Sequence, residues 1–317
     1  MKKAVSLVLI TVLCLNFLCG CASDYTACKN KYSIVTTVFA AYDFARQVGG
    51  DEVNVTLLLK PGTDSHSYEP TPADIVTISE CDMFIYTGGE NDAWIDDILE
   101  SIDNPDMTII KMLDCVTVKY TEEAVEGMQV RDDDEGFDEH VWMSPKNAAL
   151  ISQSIAKGIL SDTHGFDIDG DKIQNLLSDY LQQLDELDAY TRNVIENATG
   201  DTVIFGDRFP VRYYMEEYGL KYYAAFPGCS DDAQASAATM AYLIDKAKEL
   251  DCGIIFKIEL SSDDTATAIA EETGARVETF YTCHNLTKGQ FEEGETYISL
   301  MYHNADIISE ALNYGTD

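Results

Sequence analysis

Short apolar runs rich in β-branched residues alternate with amphipathic stretches along most of this chain. YSIVTTVFA (32–40) reads as a buried strand that passes through small residues into a helix over 40–49, which Gly49-Gly50 ends. VNVTLLL (53–59) is a second strand, and Pro72 opens a helix to about Glu80. CDMFIYTGG (81–89) is a third strand, Trp94 to Ile102 a helix, and MTIIKML (107–113) a fourth strand. This alternation of strands and helices predicts a parallel α/β sheet.

An acidic stretch (121–139) and a helix opened by Pro145 and running to about Leu160 interrupt this rhythm. A longer pattern then runs from 171 to 198, with Ile173, Leu177, Tyr180, Leu184, Leu187, Tyr190 and Val194 at three- and four-residue steps. That spacing predicts one amphipathic helix of about seven turns, roughly 40 Å long at 1.5 Å per residue. Strands at 202–207, 220–226, 252–260 and 275–281 follow, with helices at 209–218, 233–250, 263–273 and 295–312 between and after them. The expected fold is therefore α/β, with two lobes, each a mainly parallel four-stranded sheet with flanking helices, joined by one long spine helix. The expected boundaries are an N-terminal lobe over 32–165, the spine over 166–199 and a C-terminal lobe over 200–317.

The first residues do not belong to this plan. Lys2 and Lys3 precede an apolar run from Ala4 to about Leu15, then Leu18-Cys19-Gly20-Cys21, a secretory leader too short to span a membrane as a helix. The L-x-G-C ending resembles a bacterial lipobox. This implies a signal peptide over 1–20, a lipid on Cys21 and a tether over 21–31. The body would then be extracytoplasmic and lipid-anchored to the bacterial cell membrane. Losing Lys2 and Lys3 from a chain of formal charge −35 leaves that body at about −37, which repels nucleic acid and anionic lipid. Nine cysteines are present, and Cys28, Cys81, Cys115, Cys229, Cys252 and Cys283 remain after the leader and Cys21 are set aside. Export permits disulfides among them, but the wide spacings leave pairing open.

Two of the five histidines stand in the most unusual segments: His66 in PGTDSHSYEPTPAD (61–74) and His140 in FDEHVWMSPKNA (137–148). Each lies in a loop near carboxylates, with a proline downstream that can open a helix. That placement suits a metal ligand, held in position yet reachable. His164 and His303 look peripheral.

At these two segments the chain resembles the solute-binding lipoproteins of zinc and manganese ABC transporters (cluster A-I, also called cluster 9). Both motifs are similar to the family's first two metal-ligand loops, and the helix over 171–198 is similar to its interdomain spine. The resemblance implies His66 and His140 as ligands, with two more from the second lobe. There the chain departs from the pattern. VIFGDRF puts Gly206 where a His or Glu usually stands, with Asp207 beside it, and Thr282-Cys283-His284 replaces the usual Asp. His284 and Asp207 are the expected completing ligands, with Glu259 and Cys283 as rivals. Glu259 matches an acid that in the family resembles a support residue.

Three imidazoles and a carboxylate form an N₃O set that favours Zn²⁺, and a second carboxylate in place of an imidazole would favour Mn²⁺. Glu69 and Asp138 are candidates for orienting the rings. The expected function is capture of Zn²⁺ between the lobes and delivery to an ABC permease by a monomer, with no reaction catalysed. A manganese receptor or a surface adhesin of the same family is the alternative. An exported zinc hydrolase would need an open coordination position and a general base, and no H-E-x-x-H helix is present.

Overall fold

The computed structural model describes residues 31–63, 68–89, 92–122, 124–129, 136–161, 165–228, 230 and 234–315. The leader, Cys21, Cys28, His66, residues 132–135, His164 and Cys229 lie outside them. Two parallel four-stranded sheets form the frame. In the first, β1 (Tyr32–Thr36), β2 (Val53–Leu57), β3 (Met83–Tyr86) and β4 (Thr108–Lys111) stand in the order β2-β1-β3-β4. In the second, β5 (Thr202–Phe209), β6 (Lys221–Pro227), β7 (Ile254–Ile258) and β8 (Arg276–Phe280) stand in the order β6-β5-β7-β8. The two sheets thus share one winding, with a switch of direction between β1 and β3 and again between β5 and β7. Ligands of such sheets gather beyond the strands' carboxyl ends at that switch.

Helices α1 (Phe39–Gly49), α2 (Pro72–Ser79) and α3 (Ala93–Ser101) follow the first three strands. Pro145 begins α4 (Pro145–Ser161), as the sequence predicts, and the Ser144 hydroxyl accepts the Asn147 N–H at its start. The spine is α5 (Gly170–Glu196), 27 residues long and capped by Asp169. Its Ile173, Tyr180, Leu184 and Leu187 are buried. The second lobe carries α6 (Arg212–Tyr218), α7 (Ala237–Glu249) and α8 (Asp264–Thr273). A short α9 (Lys288–Glu293), absent from the sequence-based expectation, precedes α10 (Tyr297–Leu312). Its signal is a capping box in which Thr287 and Gln290 satisfy each other's backbone N–H groups. Among the described residues no helix is long and apolar enough to cross a membrane.

One continuous apolar core runs through the facing sides of both lobes, from Phe44 and Trp142 through Tyr180 and Leu184 to Phe205, Phe280 and Met301. Smaller clusters fill the outer faces, around Ile255 and Ile269 in one lobe and around Phe84 and Ile95 in the other. The lobes therefore share a packed interior. Such interiors resist deformation, so large hinge motion is not expected of this body.

A buried carboxylate reinforces the seam. Asp43 on α1 is fully buried and accepts the Tyr297 N–H at 2.9 Å, at the positive end of α10. Burial raises its pKa, against the opposing bonds from Tyr297 and Gln47 and the charge of Arg46. Replacing Asp43 with alanine should lower stability by about 1–3 kcal/mol, the cost of leaving a buried donor without its acceptor. A lower urea midpoint at unchanged slope would report this.

Candidate metal centre

His140 and His284 come from opposite lobes and meet. His140 precedes a single 3₁₀ turn (Val141–Met143) that leads into α4, and His284 lies in the turn that follows β8. Their ring centroids are 4.7 Å apart at 77°. Trp142 packs edge-on against both rings, at 5.5 and 5.1 Å, and its indole N–H donates to the Thr282 carbonyl across the seam at 2.8 Å. Gly228 lies against His140; a Cβ there would stand 3.3 Å from Cε1 of the ring and 3.1 Å from the Phe209 carbonyl.

Both imidazoles are oriented from behind. Nδ1 of His140 lies 2.8 Å from Asp138, whose same oxygen accepts the His140 backbone N–H. A carboxylate accepts, so Nδ1 carries the proton and Nε2 keeps its lone pair. Nδ1 of His284 lies 2.8 Å from the Thr282 hydroxyl, which is 2.6 Å from Glu259. The hydroxyl's one proton goes to the carboxylate, so Nδ1 of His284 donates and its Nε2 keeps its lone pair as well. Glu259 also accepts the backbone N–H groups of Thr282 and His284. Burial raises its pKa against those bonds. Both Nε2 atoms are buried.

Glu139 joins the pair. One ligand atom from each of Glu139, His140 and His284 falls in a group whose members all lie within 4.8 Å of one another. In a tetrahedral zinc site with bonds of about 2.0 Å, neighbouring ligand atoms stand about 3.3 Å apart. Closure on an ion would thus need small side-chain movement. A cavity of ≈ 20 Å³ opens beside Glu139 and His284, lined also by Thr37, Val38, Thr87 and Asp92 at the β1/β3 switch. A larger open hollow of ≈ 480 Å³ runs along β4, lined by Lys111 and Lys157, and includes neither imidazole.

Asp207 lies elsewhere. Its Oδ2 accepts from the Ile258 N–H at 3.0 Å and from the Ser261 hydroxyl, and its Oδ1 accepts the Arg208 N–H. It ties the end of β5 to the end of β7 and stands outside the His140–His284 group. Its neighbour Gly206 faces α8, where a Cβ would come within 2.5 Å of the Ala266 Cα. Cys283 is buried, with its thiol pushed well above the ordinary range by burial and by the charges of Glu259 and Asp43, so it stays protonated and is a poor ligand. Cys81, Cys115, Cys252 and Cys283 are all free thiols. Glu69 is exposed, and His303 lies exposed on α10 against Tyr281. His66, expected as a ligand, lies outside the described residues.

The sequence model of the family "Zinc-uptake complex component A periplasmic" (ZnuA) matches residues 34–311. This chain belongs to that family. It is 30% identical over 316 residues to the zinc-binding lipoprotein AdcA of Streptococcus pneumoniae (strain ATCC BAA-255 / R6), covering 97% of this chain but 61% of AdcA. The chain thus spans less than two thirds of that relative. It is 29% identical to the high-affinity zinc uptake system protein ZnuA of Bacillus subtilis (strain 168), with 89% of this chain and 88% of that one covered. The Zn(II)-bound ZnuA-like domain of Streptococcus pneumoniae AdcA superposes with a TM-score of 0.72 at 28% identity, covering 89% of this chain and 99% of that one.

The surroundings of His140 set its acid response. Burial opposes a charged ring, yet Asp138, Glu139 and Glu122 together outweigh burial and hold its pKa above the usual 6.5. A raised pKa means that protons compete for this ring at a higher pH than for a free imidazole. Metal affinity should therefore begin to fall above pH 6.5 as the solution is acidified. Asp138→Asn should weaken Zn²⁺ binding by about 10–100-fold, the usual cost of losing an orienting carboxylate. It should also move the acid-side midpoint down. Titration calorimetry between pH 5.5 and 8 would record both.

Proposed function

We propose that this chain is an extracytoplasmic receptor that captures Zn²⁺ between its lobes and delivers it to an ABC permease, without making or breaking a bond. The observation that carries this reading is the meeting of His140 and His284 from opposite lobes, each with Nδ1 committed and Nε2 buried in the shared site. His66 is proposed as the third imidazole, from its motif alone. Membership of the zinc-uptake family and the zinc-binding names of its relatives support the same metal. So does the donor chemistry, because imidazole-rich four-coordinate sets suit Zn²⁺ better than Mn²⁺. The Leu18-Cys19-Gly20-Cys21 sequence supports a lipid anchor on Cys21, which would keep the loaded receptor near the permease.

Titration with Zn²⁺ tests the reading. His66→Ala, His140→Ala and His284→Ala should each weaken binding by at least about 100-fold, beyond the loss expected from an orienting residue. His303→Ala should bind one ion as tightly as the wild type. If His140→Ala and His284→Ala both keep wild-type affinity, the receptor reading fails.

A further inference from the structure

We infer that Glu139 is the carboxylate ligand of the cargo ion, beside His140 and His284 and in place of Asp207. The inference rests on the zinc-receptor reading and names a further donor of that site. Neutral rings from His140 and His284 leave positions of a tetrahedral ion to fill and bring no charge to balance it. Among the described residues, Glu139 is the carboxylate that shares a group with both His140 and His284. It is almost fully buried, at 2% exposure, and a buried carboxylate is stabilised by a cation beside it.

The fold makes room for this side chain. A Cβ on Gly89 would come within 1.8 Å of Glu139 Oε2 and 2.4 Å of its Cβ, so only glycine at 89 admits the carboxylate there. The turn that carries Gly89 is held independently: Asp92 accepts the N–H groups of Thr87 and Gly88 at 2.7 and 3.0 Å, and Gly88 takes a φ of 93° that favours glycine. On the other side, the Glu139 carbonyl accepts the Val141 N–H at 2.8 Å, and Asp138 grips the backbone and ring of His140. Glu139 is therefore flanked by fixed residues. The alternatives in the second lobe are blocked, because Asp207 is committed to Ile258, Ser261 and Arg208, and position 206 abuts α8.

The full chain, its Glu139→Gln variant and its His140→Ala variant, titrated with Zn²⁺ and with Co²⁺ as a visible-spectrum probe, test this. Glu139→Gln keeps the shape and removes the charge. It should lose at least about tenfold in Zn²⁺ affinity, and its Co²⁺ d–d bands should change in position and intensity. Wild-type affinity with a wild-type spectrum overturns the inference, and so does a loss of affinity with an unchanged Co²⁺ spectrum, which would make Glu139 a source of field only. If Glu139→Gln does not fold, a crystal structure of the zinc-loaded wild type decides. An Oε–Zn distance of about 2.0–2.2 Å upholds ligation, and a zinc ion with no Glu139 oxygen within coordination distance refutes it. Tight Zn²⁺ binding by His140→Ala would instead bring down the underlying reading.

Discussion

The turn over residues 282–286 belongs to one lobe but is hydrogen-bonded to the other, and the site depends on that crossing. Helix α1 has no side-chain cap at Val38, so its first N–H groups need partners from outside the helix. They find them across the seam. The Phe39 N–H donates to the His284 carbonyl at 2.7 Å and the Ala40 N–H to the Cys283 carbonyl at 3.0 Å. Cys283 takes a left-handed φ of 59°, a strained conformation for a residue with a side chain. Next to it, the Asn285 amide donates to the carbonyls of Lys60 and Thr63, and the Gly62 N–H donates to the Leu286 carbonyl. His284 is thus anchored to the first lobe's frame although its chain arrives from β8. The first-lobe residues it contacts, Lys60, Gly62 and Thr63, lie just before His66 in the sequence.

This anchoring bears on how an ion is taken up. Trp142, Tyr297 and Tyr213 add further bonds between the lobes, to the carbonyls of Thr282, Trp142 and Asp138. With a shared core behind them, the two described imidazoles have a fixed spacing, and capture does not call for a wide hinge. Each ring has a carboxylate behind it, directly for His140 and through the Thr282 hydroxyl for His284. Both rings are therefore held with Nε2 able to accept a metal, and the charge of an ion there would be balanced close by. Acid works against this arrangement, because the groups that orient His140 also strengthen its hold on a proton.

Much of the fold was legible in the sequence. Largely apolar strands such as MFIY and IIFKI point to a sheet covered on both faces, and the stripe from Ile173 to Leu187 announced the spine. His140 and its partner Asp138 could be read from one short motif, because neighbours in a loop remain neighbours in space. The sequence does not reveal which way a strand-end side chain such as Asp207 turns. Here the gap between β5 and β7 offers it the Ile258 N–H and the Ser261 hydroxyl, which use its acceptors. Glu139 went unnoticed beside His140, because its value depends on an absent Cβ at Gly89, fifty residues earlier. The seam itself rests on backbone carbonyls, and these carry no residue signature.

The central claim is that His140 and His284 bind the same ion. Imidazole ¹⁵N spectra of the uniformly labelled full chain, assigned through single-histidine variants and followed during Zn²⁺ addition, test it most directly. The account predicts that the Nε2 resonances of both rings shift together, complete at one equivalent, while both Nδ1 atoms stay protonated. Shifts that saturate at different zinc ratios, or a ring whose Nε2 does not respond, would contradict it.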